Sequence, residues 1–152
     1  MMEQLIALAY LYTEGFDVWN TFSFKLDELY EKYSDNNDEL FYIESLTEQK
    51  DIIVHTTTLL DPERIDIDSF GKALMTYLYC EYQNSKIDLR LFAEKAYDLW
   101  SNLPFEISMK EPFYTLNSAG DALSYGDTQH CREMFEKAFN YYKNKQQFLG
   151  EA

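Results

Sequence analysis

One pattern occurs twice in this chain, as RIDIDSF at residues 64–70 and as KIDLRLF at residues 86–92. Each copy sets an isoleucine, then an aspartate, then a phenylalanine four residues after the aspartate. Asp66 and Asp88 read as helix N-caps, because a carboxylate there accepts a hydrogen bond from a backbone N–H that the helix leaves unpaired. Ile65 with Phe70, and Ile87 with Phe92, have the spacing of a hydrophobic staple across each helix start. The stripes that follow repeat at helical steps: Phe70, Leu74, Tyr77 and Leu78, then Phe92, Ala96, Leu99 and Trp100. Two helix starts 22 residues apart leave room for one helix, a short turn at QNSK (83–86) and an antiparallel second helix. The phrase is therefore folding punctuation. An exposed recognition use of Asp66, Asp68 or Asp88 is the alternative.

The rest of the chain fits the same grammar. Residues 17–34 carry Trp19, Phe22, Leu26, Leu29 and Tyr33 at alternating steps of three and four, with Asp17 placed to cap the first turn. Before them, Leu5, Leu8, Ala9 and Tyr12 form a shorter stripe ended by Gly15. The polar run SDNND (34–38) breaks the second helix, and Asn37 or Asp38 starts a short one through Leu40, Phe41 and Leu46. In SLTEQKDIIVHTTTLLDP, Ser45 with Glu48 resembles a capping box and Pro62 lies past the end, which predicts a helix. The β-branched IIVHTTT suits a strand equally well, so residues 50–60 stay open between the two. NLPFEISMKEP (102–112) reads as a loop, and Pro112 suits the first turn of a helix carrying Phe113, Leu116 and Leu123. YGD (125–127) is a turn, with Asp127 capping a last helix that buries Cys131, Met134 or Phe135, Ala138 and Tyr142 and ends near Gly150. Only five Gly and three Pro interrupt the 152 residues, which favours few, long elements. The expectation is an all-α fold: a single domain over 1–152, an antiparallel bundle of about six or seven helices.

Charge narrows the function. Twenty-seven Asp and Glu against thirteen Lys and Arg leave a formal charge of −14. A nucleic-acid binder needs basic groups to displace phosphate counterions, and no basic stripe is present, so nucleic acid is not the expected partner. Anionic membranes are disfavoured for the same reason. A basic protein surface would be attracted and its association hastened. The N-terminus MMEQLIALAYLYTEG has an acid where a signal peptide places Lys or Arg, and no stretch approaches the roughly 18–20 apolar residues of a membrane span. Cys80 and Cys131 stand singly, as buried free thiols of a cytoplasmic protein.

No phosphate-binding loop, nucleophile elbow or metal-spaced Cys/His pair occurs, so no catalytic residue, metal or cofactor is expected. His130 and Cys131 are adjacent, but neighbouring helical residues point about 100° apart. The acid-rich stretch KLDELYEKYSDNNDELFYIE is a candidate binding face. On a helix buried through Leu26, Leu29 and Tyr33, the residues Asp27, Glu28 and Glu31 face outward, followed by Asp35 and Asp38 in the turn. Lys25 and Lys32 oppose them, while Tyr30, Phe41 and Tyr42 add rigid aromatic area of the kind interfaces use.

The stretch from Tyr77 to Asp127 resembles the small helical immunity proteins of bacterial toxin systems, in particular those similar to the colicin D immunity protein. The carrying residues are YLYCEYQNSKIDLRLFAEKAYDLWSN, then SAGDALSYGD and CREMFEKAFNYY. The N-terminal 60 residues depart from that pattern. The resemblance implies a cytoplasmic inhibitor without catalytic activity. Its cognate partner would be a toxin domain with a basic surface, often an RNA-cleaving nuclease, whose active site is covered by acidic groups standing in for phosphates. Carried over position by position, the matching residues are Asp121, Tyr125 and Asp127. The leading expectation is thus a toxin-neutralising immunity protein. The alternative is a non-catalytic adaptor or regulatory module, as a homodimer. A small carboxylate enzyme is the third reading, and it requires a cleft holding a carboxylate of raised pKa.

Overall fold

The computed structural model describes residues 2–33, 35, 37–84 and 87–145. Ten helices are delimited among them, rather than six or seven, and no strand occurs among the described residues. The packing forms two compact units, one reaching to Leu74 and one starting at Met75.

The first unit holds α1 (Glu3–Thr13), α2 (Trp19–Tyr33), α3 (Asp38–Ser45), α4 (Gln49–Thr57) and the start of α5 (Ile67–Asn84). Helix α1 packs on α2 and α4, and α3 contacts both α2 and α4. Leu5, Ile6, Ala7, Leu8, Ala9 and Leu11 of α1 are all fully buried. A helix apolar on all sides belongs at the centre of a unit, not on its surface. On α2 the expected stripe holds, with Phe22, Leu26 and Leu29 buried. Its start differs: Val18 directly precedes Trp19 and its carbonyl accepts from Phe22 N–H at 2.9 Å, so Asp17 lies one position too early to cap. Asn37 caps α3, accepting from Leu40 N–H at 3.0 Å.

Residues 49–57 are helical. The β-branched run is tolerated because Ile52, Ile53 and Thr56 are buried in the unit that α1 centres. Thr56 Oγ1 donates to Ile52 O at 2.7 Å and Thr57 Oγ1 to Val54 O at 2.8 Å, so the hydroxyls are satisfied within the helix. The capping box at Ser45 and Glu48 does not form. Ser45 is the last residue of α3 and its hydroxyl turns back to Tyr42 O, while Glu48 holds the N-cap position without a side-chain bond.

The second unit holds the end of α5, α6 (Leu89–Ser101), α7 (Phe105–Ser108), α8 (Phe113–Ser118), a 3-10 helix (Ala119–Tyr125) and α9 (Thr128–Phe139). Both copies of the repeated phrase behave as caps. Asp66 Oδ1 accepts from Asp68 N–H at 3.1 Å and Ser69 N–H at 3.4 Å, and Asp88 accepts from Leu91 N–H at 2.8 Å. Asp127 does the same for α9, accepting from His130 N–H at 3.0 Å. An aromatic cluster fills the unit: Phe92 lies 5.0 Å from Phe135 and 5.3 Å from Tyr82 between ring centroids. Phe135, rather than Met134, takes the buried position on α9, beside Cys131 and Ala138.

The count rises above expectation for local reasons. Pro104, extended at ψ 145°, starts the one-turn α7 inside the segment expected to be a loop. The stretch after Pro112 divides into α8 and the tighter 3-10 helix, which ends at Gly126 with φ 75°, a left-handed conformation suited to glycine. Cys80 is exposed, not buried: the buried stripe of α5 runs Phe70, Leu74, Leu78, which turns residue 80 outward. Both thiols are free. Ser85 and Lys86 of the expected turn, Ser34 and Asn36 of the polar break, and Gly150 lie outside the described residues.

Candidate functional site

Helix α6 buries Phe92, Ala93, Ala96 and Leu99. The face beside that stripe carries Arg90, Glu94, Tyr97 and Asp98, spaced i, i+4, i+7 and i+8, so they share one side of the helix. Across from them runs the 3-10 helix, with Gly120, Asp121, Leu123 and Ser124. Together with Asn117 and Ala93, these residues line a groove of about 460 Å³. Small residues bring the walls close. A Cβ on Gly120 would lie 3.2 Å from Ala93 Cβ, tighter than ordinary van der Waals contact, so glycine is what allows this approach.

Glu94, Asp98 and Asp121 face solvent in this groove with Arg90 as its one cation, and none of the three takes part in an ion pair among the described residues. A carboxylate left unpaired in a concave wall projects its field into the cleft. Ser124 Oγ donates to Asp121 O at 2.6 Å, which fixes the backbone of the wall and leaves the carboxylate outside that bond. The arrangement suits a guanidinium or ammonium group and holds no nucleophile–base pair.

The C-terminal candidates separate. Asp121 lines the groove, while Tyr125 and Asp127 do not. Tyr125 is 85% exposed. Asp127 spends its carboxylate on the cap of α9, so it is a structural residue as well as a candidate. His130 and Cys131 form no dyad. His130 is exposed, Cys131 is buried, and burial pushes its thiol pKa up, with the Arg132 charge opposing.

The N-terminal candidates lie in the first unit. Asp27, Glu28 and Glu31 are exposed on α2, Asp35 is exposed in the connection, and Asp38 opens α3. Two are engaged locally. Glu28 lies 3.1 Å from Lys25 Nζ. Burial first, then the Asp27 charge and a hydrogen bond to Asp27, raise the Glu44 pKa, so these two carboxyls couple to one another. Phe41 and Tyr42 are exposed and Tyr30 is half-buried. Lys32 Nζ lies 5.3 Å from the Tyr33 ring centroid, so its charge is directed to a local aromatic face.

Among the described residues, no group of three or more His, Cys, Asp or Glu is placed to hold a metal ion, and no helix is long and apolar enough to cross a membrane. The residues that sequence reasoning missed are Glu94, Tyr97 and Asp98. Their common face on α6 was readable from spacing, but its opposite wall comes from a segment more than 20 residues later. The chain matches no family model, no curated protein and no solved structure.

Proposed function

We propose that this protein is an immunity protein, a stoichiometric inhibitor that binds a toxin domain with a basic surface and acts in the cytoplasm without catalysis. In this reading the chain works as a single helical domain of bundle type. The observation that supports it is the groove of the second unit. There Asp121, one of the residues the family resemblance singles out, meets Glu94 and Asp98 with only Arg90 opposing them. Carboxylates held in a concave wall can stand in for the phosphates that a nuclease site expects, and Tyr97 beside them supplies rigid contact area. A net charge of −14 draws such a partner in, so association should slow steeply as salt rises.

The test uses the gene immediately upstream in the source genome. Both genes go under separate inducible promoters, and growth is followed when this one alone is withdrawn. Arrest rescued by the protein but not by the E94Q/D98N/D121N variant supports immunity through the groove. Equal rescue by that variant moves the site to Asp27, Glu28 and Glu31. Absence of arrest favours the adaptor. A specific observation supports that second reading: Phe24 and Phe41 in the first unit are 71% and 62% exposed. Light scattering showing a stable dimer that F24S/F41S returns to monomer would make the homodimeric adaptor the better account.

A further inference from the structure

Next to the groove lies a second feature that the acidic residues do not explain. The Tyr97 ring, on the groove wall, is 5.8 Å from Trp100, and Trp100 meets Tyr114 edge-on at 6.3 Å. Trp100 Nε1–H donates to Ser108 O at 2.8 Å, which ties α7 to α6. That tie displays the residue that opens α7 and the one that follows it: Phe105 is 73% exposed and Met109 50%. Both α7 side chains that point inward, Ile107 and Ser108, are buried, so the turn is anchored and its outward side chains are held at the surface. Large apolar groups held out on an anchored turn mark an interaction surface more than a solubility defect.

We infer that the Tyr97–Trp100–Tyr114 row with Phe105 and Met109 forms, together with the acidic groove, one docking face for a basic segment of a partner protein in which cationic and apolar side chains alternate. The inference rests on the proposed role of the groove and names the chemistry of its partner. Charge selects the occupant. Glu94, Asp98 and Asp121 outnumber Arg90 in the groove, while exposed Glu106 and Lys110 balance one another about α7. A second copy of this chain would set −14 against −14, so a homodimer through this face is disfavoured. Nucleic acid and anionic lipid are repelled for the same reason. A cationic side chain enters the groove, and an apolar neighbour packs on Phe105, Met109 and the edge of Trp100. Aromatic and arginine anchors seated in pockets carry most of the energy of a tight interface.

The experiment titrates the full chain with three fluorescent eight-residue synthetic peptides: alternating Arg and Leu, alternating Arg and Ser, and alternating Glu and Leu. The Arg–Leu peptide should bind, the Glu–Leu peptide should not, and the Arg–Ser peptide should bind about tenfold more weakly, the loss expected when one apolar side chain stays unburied. Phe105→Ser with Met109→Ser should bring Arg–Leu binding down to the Arg–Ser level and leave Arg–Ser binding unchanged. Both positions are exposed, so far-UV circular dichroism should match the parent. If Arg–Leu and Arg–Ser bind alike, or the double variant binds Arg–Leu as the parent does, the aromatic half is overturned while the groove stands. If E94Q/D98N/D121N weakens neither Arg peptide, the groove itself is the failure, and with it the carrying observation for immunity. A D27N/E28Q/E31Q control removes the same number of charges from α2. Equal weakening by that control would show indiscriminate attraction to net charge and overturn the docking face.

Discussion

On α2, Glu28 is 3.1 Å from the Lys25 ammonium and Asp27 is coupled to the Glu44 carboxyl. In the second unit, Glu94, Asp98 and Asp121 converge on one groove and none is in an ion pair among the described residues. Three acids occupy each region. Of those on α2, Glu28 shares a groove of about 280 Å³ with Lys25 and Lys32, while Asp27 and Glu31 are exposed to salt water. Their pull on an approaching cation is therefore offset or screened. Those lining the groove of the second unit have Arg90 alone beside them there, so their fields add within it. Net charge does not distinguish the two regions; the number of cations set beside the acids does, two lysines in one groove and one arginine in the other.

The largest way to break the contrast is to remove the wall that makes the groove concave. Phe92 holds α6 in place through Phe135 and Tyr82 and is 2% exposed. Phe92→Ala should cost about 3–5 kcal/mol of stability, read as a fall in the urea midpoint. Under conditions where the variant is still folded, Arg–Leu peptide binding should weaken with it. A destabilised variant that binds as tightly as the parent would mean that α6 does not shape the site. Next in size is Gly120→Val, which forces Cβ and two methyls against Ala93. Overpacking of this kind costs about 1–3 kcal/mol. It should also open the groove, so thermal midpoint and peptide affinity should fall together. A variant as stable as the parent would show that the two walls part without strain.

Much of the helical scheme was legible in the sequence, and of the acids in the groove only Asp121 was. Asp66, Asp88, Asp127 and Asn37 are all used as caps, because a cap is a local contract between a side chain and the next turn. The stripe Phe22, Leu26, Leu29 is buried for the same local reason. By contrast, α1 was read as a one-sided stripe although Ile6, Ala7 and Leu11 are fully buried too. A segment apolar on every side has no periodic contrast to read. The β-branched α4 needed its burial to decide between helix and strand. The groove joins residues 90–98 to 117–124, and only the close approach at Ala93 and Gly120 brings them together. Phe105 and Met109 fell in a segment whose two prolines suggested a loop, so their display on an anchored turn left no trace in the pattern.

Asp127 tests the boundary between the two kinds of acid, since it is a predicted partner contact that the structure uses as a cap. Asp127→Ala should lower stability by about 1 kcal/mol. Asp127→Ser should restore most of it, because a hydroxyl oxygen also accepts from the N–H at N3. If rescue from growth arrest returns with Ser, the role of Asp127 is structural. If rescue is lost in both variants while the thermal midpoint of the Ser variant is normal, the carboxylate itself meets the partner.

The smallest effect should come from Glu44, and its sign separates the coupled acids of the first unit from the groove. Burial first, and then the Asp27 charge, raise the folded-state pKa of Glu44. A carboxyl whose folded pKa lies above its unfolded value destabilises the folded state where it is ionised. The penalty is therefore present near neutral pH and is relieved as pH falls through the raised value. Once pH drops below the ordinary carboxylate range, about 4 to 4.5, the group is protonated in both states and contributes nothing. Glu44→Gln keeps a donor for the Asp27 carboxylate and removes the repulsion. It should raise the thermal midpoint slightly at about pH 7, by the equivalent of a few tenths of a kcal/mol for so solvated a pair, and the gain should vanish on acidification. A variant less stable than the parent at about pH 7, with the loss vanishing on acidification, would show that the ionised pair is favourable where it stands. In that case the acids of α2 would be candidates for binding after all.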